Sequence, residues 1–438
     1  MTPSSPDTRP DTLPQWLMRL ESLHPSEIDL GLDRVSAVAG RLGLTSGFPC
    51  LITVAGTNGK GSCVAAMEAL LLEQGHSVGA YTSPHLLRYN ERIRIDGHEA
   101  EDAAICRAFG QIERARGEIS LTYFEFGTLA ALLLFREARP DVVVLETGLG
   151  GRLDAVNILD ADVAVISSIG LDHQQWLGDD RETIGREKAG IFRRGHPVVC
   201  VEPDPPYSVI EAARTLDCPW YGPEGKLQWQ QHGVQWSWQG EDLGGQTLVL
   251  DGLPLPGLAL SNVAAALQAL VLTPYRPNAA VVKRVLPELQ LAGRRQRLFD
   301  TRHRRHVLLD VAHNEQAAQA LARALQQLEW PGRIHVVLAM MADKDHAAFY
   351  RALESGIDFW YITRVEQPRC LPAESLLGRL EALGATAVRG PYADVPAAYD
   401  DACRLSGADD LILVCGSFFT VSAMMQMAGT LFTPDPER

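Results

Sequence analysis

The stretch Leu51-Ile52-Thr53-Val54-Ala55-Gly56-Thr57-Asn58-Gly59-Lys60-Gly61-Ser62 reads as a buried strand, a glycine-rich turn and the start of a helix, whose pattern runs from Ala65 to Leu72. In that order the three pieces make an anion cradle. Glycines let successive backbone N–H groups turn toward one ligand, the helix start adds partial positive charge, and Lys60 brings a full charge suited to β- and γ-phosphates. ATP is the expected guest, with Thr57, Asn58, Gly59, Lys60, Gly61 and Ser62 as its contacts. Gly61 stands where a Ser or Thr usually follows the lysine of such a loop, so a Mg²⁺ role for Ser62 stays open. The plain alternative is a strand-to-helix turn that binds nothing.

Outward from this loop, apolar runs alternate with helical patterns, the signature of parallel sheets with helices on both faces. Val78-Gly79-Ala80-Tyr81, Val142-Val143-Val144-Leu145 and Val163-Ala164-Val165-Ile166 read as further buried strands. From Trp220 to Pro256 the composition changes, and Trp229, Trp236 and Trp238 suggest a small antiparallel meander appended to the sheet, its tryptophans packing rather than binding. Helical stretches follow, one from Asn262 to Leu272 and another ending near Leu291, and then Ala292-Gly293-Arg294-Arg295-Gln296, which reads as a linker. A second strand and helix series uses Val307-Leu308-Leu309-Asp310, Ile334 to Leu338, Phe359 to Ile362 and Leu411 to Val414. The expected organisation is α/β throughout, with a nucleotide-binding domain over 1–292, a linker over 293–296 and a second domain over 297–438.

A chain of 438 residues, 46% of them hydrophobic, has material for two or three cores. A net charge of −14 speaks against general binding to nucleic acid or anionic lipid. No apolar run has the length of a membrane span and the first residues are polar and Pro-rich, so a cytoplasmic protein is expected. The eight cysteines form no Cys-x-x-Cys pair, which favours reduced core thiols over disulfides or zinc.

Polar groups recur where such sheets place their sites, at the carboxyl ends of strands. Glu146 ends one strand and leads into Thr147-Gly148-Leu149-Gly150-Gly151-Arg152-Leu153-Asp154, where a carboxylate can hold Mg²⁺ beside phosphates. Ser167-Ser168-Ile169-Gly170-Leu171-Asp172-His173 closes the next strand, and Thr82-Ser83-Pro84-His85 brings a hydroxyl after the Tyr81 strand. Asp310 and His313 occupy the matching position in the second series, with a simple strand-end turn as their structural alternative.

Several motifs, in order, carry a more specific likeness: Ile28 to Val35, the phosphate loop, Thr82-Ser83-Pro84-His85, Thr122-Tyr123-Phe124-Glu125, the Glu146 loop, Gly185-Arg186-Glu187-Lys188-Ala189-Gly190, Asp310-Val311-Ala312-His313-Asn314 and Gly416-Ser417-Phe418. From about Leu20 to about Ser422 the chain resembles bacterial folylpolyglutamate synthases, in particular their bifunctional dihydrofolate synthase form, within the Mur-ligase-like enzymes. The resemblance implies a P-loop ATPase domain with a small β appendage and a C-terminal Rossmann-like domain. It also implies an ATP-dependent amide ligase that adds L-glutamate to 7,8-dihydropteroate and to reduced folates through an acyl phosphate.

For individual residues the resemblance implies Mg²⁺ contacts from Ser83, Glu146 and His173, and ATP contacts from Asn262, Arg294 and Asp310 besides the loop. Catalytic roles fall to Lys60, His173, Lys188 and His313, with Lys188 carbamylated as a further Mg²⁺ ligand. Pterin contacts fall to Ser22, Leu23, His24, Pro25, Thr122, Tyr123, Phe124, Glu125, Leu153, Asp154 and Ala155. By the residues alone, Tyr123 and Phe124 equally suit a helix start packed in the core, and Lys188 equally suits a helix surface, paired with Glu182 or Glu187. A monomer acting on small molecules is expected. Two rival functions differ in kind: a superfamily ligase for a UDP-linked cell-wall precursor, expected to carry a further N-terminal domain, and a non-catalytic nucleotide-binding protein, which has no need of Glu146, His173 and Asp310.

Overall fold

The computed structural model describes residues 10–26, 28–223, 225–429 and 431–435. They form two compact units, one running through Ile169 and resuming over Leu177–Leu255 and Ala259–Pro287, the other made of Gly170–Trp176, Pro256–Leu258 and the chain from Glu288.

The first unit is built on an eight-stranded sheet in which Leu51–Ala55 is an interior strand, paired in parallel with Val142–Glu146 on one side and Val163–Ile166 on the other. All five residues of Leu51–Ala55 are buried, as a strand covered on both faces requires. Val78–Tyr81 pairs in parallel with Val142–Glu146, and two short antiparallel strands, Ile93–Ile95 and His98–Glu99, finish that edge. The helix after the phosphate loop is Lys60–Glu73, rich in Ala and Leu, buried along most of its length and starting at the loop lysine itself. Helices Leu13–Leu23, Asp33–Leu42, Asp102–Arg116 and Tyr123–Ala138 close one core around Trp16, Phe109 and Phe126.

The tryptophan-rich segment forms its own antiparallel sheet, Gln228–His232, Gln235–Glu241 and Thr247–Pro254, rather than an extension of the large one. Trp236 and Trp238, two residues apart on one face, are both buried, and the Trp238 indole N–H donates to the Ala264 carbonyl of helix Leu260–Val271 at 3.2 Å. Trp220 belongs instead to the edge strand Trp220–Tyr221 of the large sheet.

The second unit has a seven-stranded sheet whose parallel centre, Phe359–Ile362, Ile334–Leu338, Leu411–Cys415 and Arg305–Leu309, is continued by the antiparallel strands Gln296–Asp300 and Phe432–Pro434. Its boundary follows Pro287, and the residues expected as a linker, 293–296, are tied into this unit by hydrogen bonds. Val311 N–H donates to Gly293 O, and Arg295 N–H to the Asp310 carboxylate, both at 2.9 Å. All eight cysteines are free thiols. No helix among the described residues is long and apolar enough to cross a membrane.

Candidate functional site

The phosphate loop owes its shape to the neighbouring strand end. Gly56 passes so close to Ser167 that a Cβ there would lie 1.9 Å from its hydroxyl. The Ser168 carbonyl accepts the Thr57 N–H at 2.8 Å, and its hydroxyl accepts the Asn58 N–H at 2.9 Å. Gly59 has φ +87°, a left-handed conformation that glycine adopts without cost, and the Asn262 side chain packs directly on it. These contacts hold the amides of residues 59–62 open at the start of a helix, where an anion is favoured.

Lys60 folds back over the loop. Its ammonium donates to Gly56 O at 3.0 Å and lies 4.0 Å from Glu146 Oε1, while Glu146 Oε2 accepts the Ser83 N–H at 3.2 Å. The structure therefore brings Lys60, Glu146 and Ser83 together at the carboxyl ends of adjacent strands. A buried carboxylate and a nearby hydroxyl are hard oxygen donors of the kind Mg²⁺ takes.

Lys188, on helix Arg181–Ala189, is buried rather than lying on a helix surface. The two carboxylates suggested as its partners each bind another group. Glu187 binds Arg152 at 2.9 Å, and Glu182 accepts the Tyr207 and Ser208 amides at 2.9 and 2.8 Å.

Of the segments expected to hold pterin, Thr122 caps helix Tyr123–Ala138. Its hydroxyl accepts the Glu125 N–H at 3.2 Å, and Glu125 Oε2 accepts the Thr122 N–H at 2.7 Å. Arg34 lies 3.2 Å from the other Glu125 oxygen and 2.8 Å from Asp29, which stands 3.4 Å from His24. This chain of polar contacts ties the His24 segment to the Thr122 turn. Leu23 is half-buried, whereas Ser22 and Pro25 are exposed, the Ser22 hydroxyl donating to Arg19 O.

Tyr123 and Phe124 are half-buried at the margin of the core. A Cβ on Gly148 would lie 2.7 Å from the Phe124 ring, so the glycine-rich loop rests on that ring. Asp154 braces the same loop, accepting the Leu149 and Val156 amides at 2.8 and 3.1 Å, with Leu153 half-buried and Ala155 buried beside it. Burial pushes the Asp154 carboxyl up to about 6, against the pull of those amides and of Lys60.

In the second unit, Asp310 accepts the Arg295 and Ala312 amides at 2.9 and 2.8 Å, and burial raises its carboxyl against the charge of Arg294. The Arg294 guanidinium lies over the Phe418 ring, 4.6 Å from its centroid. His313 Nε2 is 3.2 Å from Asp172 Oδ2, and Asn314 and Lys344 donate to the same carboxylate. His173 follows Asp172 in a left-handed conformation, φ +52°.

Lys344 went unnoticed in the sequence, and Ser168 stood out there only as part of a polar strand end. Lys344 follows the Ile334–Leu338 strand in a charged loop, so the strand-end rule points to it. Ser168 contributes through a backbone carbonyl and a hydroxyl, which no motif announces.

Residues 54–270 match the Mur ligase middle domain, and residues 293–418 match the Mur ligase glutamate ligase domain. The chain is 45% identical to the dihydrofolate synthase/folylpolyglutamate synthase of Escherichia coli strain K12, over 95% of both chains. It superimposes on E. coli FolC in complex with DHPP and ADP with a TM-score of 0.90 and 43% identity, covering 97% of this chain and 99% of that one. A bifunctional folylpolyglutamate synthase/dihydrofolate synthase with Mn, AMPPNP and L-glutamate bound gives a TM-score of 0.87 at 44% identity, over 97% and 99%. The chain belongs to the dihydrofolate synthase/folylpolyglutamate synthase family of Mur-type ligases.

Proposed function

We propose the following division of labour for the ATP-dependent amide ligase that this family membership implies, one that joins L-glutamate to dihydropteroate and to reduced folates. A carboxylate does not condense with an amine at neutral pH, so the substrate carboxylate first attacks the γ-phosphorus of ATP. ADP leaves and an acyl phosphate remains. The glutamate amine then attacks the acyl carbon, phosphate departs, and the amine gives up its proton. The observation that carries this reading is the grouping of Lys60, Glu146 and Ser83 at the mouth of a glycine-rich loop.

The loop amides and Lys60 bind and orient the β- and γ-phosphates, and their fixed positive charge favours the spread of negative charge during transfer. Ser83 and Glu146 hold the divalent cation, with His173 as a further Mg²⁺ ligand. When bound, the cation neutralises phosphate charge. Asn262, Arg294 and Asp310 contact the nucleotide, and His313 serves the glutamate-transfer step. The segments 22–25, 122–125 and 153–155 receive the pterin. Lys188 acts as a carbamate, formed when its neutral amine adds to CO₂ and loses a proton, and its burial supports this because a buried ammonium is disfavoured. The free thiols and the charge of −14 support a cytoplasmic setting, and we take the working form to be a monomer.

Phosphate release, followed with dihydropteroate plus glutamate, with a UDP-muramoyl substrate plus amino acid, and with ATP alone, tests the reading. Release confined to the first mixture is expected. Release with the muramoyl substrate only, or equally with ATP alone, rejects it.

A further inference from the structure

Close to Ser83 lies a cation with no counter-ion among the described residues. Arg92 ends the short 3-10 turn Tyr89–Arg92, and its carbonyl accepts the Thr82 N–H at 2.9 Å, which sets it beside the Ser83 segment. Its guanidinium lies over two aromatic rings, 5.4 Å from the Tyr89 centroid and 5.6 Å from that of Tyr123. Nε donates to His85 Nδ1 at 2.8 Å.

The remaining guanidinium donors have no acceptor among the described residues, although nearby charges are matched. Arg94 is bound to Glu68 at 2.7 Å, and the Glu91 carboxylate is taken up by the Leu86, Leu87 and Arg88 amides. The buried Tyr89 hydroxyl also lacks a hydrogen-bond partner among the described residues. The two rings, 5.7 Å apart and nearly perpendicular, lie to one side of the guanidinium, and its remaining N–H groups can grip a carboxylate with two parallel bonds.

A folate substrate that already bears glutamate brings two carboxylates on its terminal residue. One reacts, and it must keep its negative charge for attack on phosphorus, which a clamped guanidinium would draw away. The other stays ionised and needs a partner on entering a half-buried site. We infer that Arg92 binds this non-reacting carboxylate of the terminal glutamyl residue, an assignment that rests on the ligase reading above. Dihydropteroate has no such group. Arg92 thus serves glutamate addition to folates and is dispensable for dihydrofolate formation.

The test compares steady-state kinetics on dihydropteroate and on tetrahydrofolate for the wild type, Arg92→Gln and Arg92→Lys. Loss of a paired, charge-assisted contact raises the KM for tetrahydrofolate about 10- to 100-fold in Arg92→Gln, less in Arg92→Lys, while values for dihydropteroate stay within about twofold. Equal losses on both substrates, or no loss on either, overturn the assignment. A tetrahydrofolate whose non-reacting carboxylate is a carboxamide gives a check on the unaltered enzyme. It should be a correspondingly poor substrate for the wild type and no worse than tetrahydrofolate for Arg92→Gln. Undiminished wild-type use of that amide rejects the assignment even where the variants fold poorly. A wild type inactive on dihydropteroate and tetrahydrofolate alike rejects the ligase reading instead.

Discussion

Asp172 Oδ2 lies 3.2 Å from Nε2 of His313, 141 residues along the chain, while Nδ1 of the same ring lies 2.9 Å from the Val311 carbonyl. Lys344 adds a cation at 2.5 Å from the other carboxylate oxygen. Burial raises the Asp172 carboxyl, but the His313 hydrogen bond and the charges of His313 and Lys344 outweigh it and hold the group well below the usual carboxylate range.

A carboxylate depressed in this way contributes stability that is complete above its unfolded value, about 3.9, and is lost as pH falls through the lower folded value. Asp172→Asn should therefore cost about 3 kcal/mol at neutral pH. The gap to the wild type should narrow below about pH 4. Denaturant titrations at several pH values measure it, and a gap that stays constant down to about pH 2 would contradict the charge-based account.

Gly59→Ala probes the loop. A Cβ at φ +87° carries left-handed strain of about 1–2 kcal/mol and would lie 2.5 Å from Asn262 Oδ1. We expect ADP affinity to fall by at least about tenfold with only a small drop in Tm, read by calorimetry and thermal melting. Unchanged ADP binding would detach Asn262 and Gly59 from the nucleotide.

Lys60→Ala should leave the fold intact and lower kcat by about 10²- to 10³-fold. Glu146→Gln and His173→Ala should raise the Mg²⁺ concentration required for half-maximal rate. Magnesium titrations that superimpose on the wild type in both variants would remove those two side chains from the metal site.

The strand, loop and helix around Lys60 were legible because glycine spacing and apolar runs are local signals, and so were the parallel strands ending at Glu146, Ile166 and Leu309. What was hidden depends on pairing across the chain. Nothing local links Asp172 to Lys344, 172 residues away, or tells that Gly170–Trp176 groups with the second unit. Trp220 and Trp229 look alike in sequence, yet one joins the large sheet and the other the small one, because sheet membership is decided by register rather than composition. The hydrogen bonds by which Asp154 braces its loop were hidden too, because they join a carboxylate to amides through a turn that its spacing does not announce.

Asp154 also gives a pH signature. Its folded value, about 6, lies above the unfolded one, so the native state holds the proton more tightly and stability falls as pH rises from about 4 to 6. That fall amounts to at most about 3 kcal/mol. Asp154→Asn should lack it, and identical pH–stability curves for the two proteins would show that the carboxyl is not perturbed.

For Lys188, activity of the wild type should drop in CO₂-depleted buffer and return on adding bicarbonate, whereas Lys188→Ala should be nearly inactive in both. Full activity of Lys188→Ala in CO₂-depleted buffer would dismiss the carbamate.

The central claim is that the substrate carboxylate is phosphorylated before glutamate attacks. Dihydropteroate labelled with ¹⁸O in both carboxylate oxygens, incubated with ATP, Mg²⁺ and glutamate, decides it by ³¹P NMR of the released phosphate. An acyl phosphate transfers one labelled oxygen to each phosphate formed; amide product accompanied by unlabelled phosphate would contradict the account.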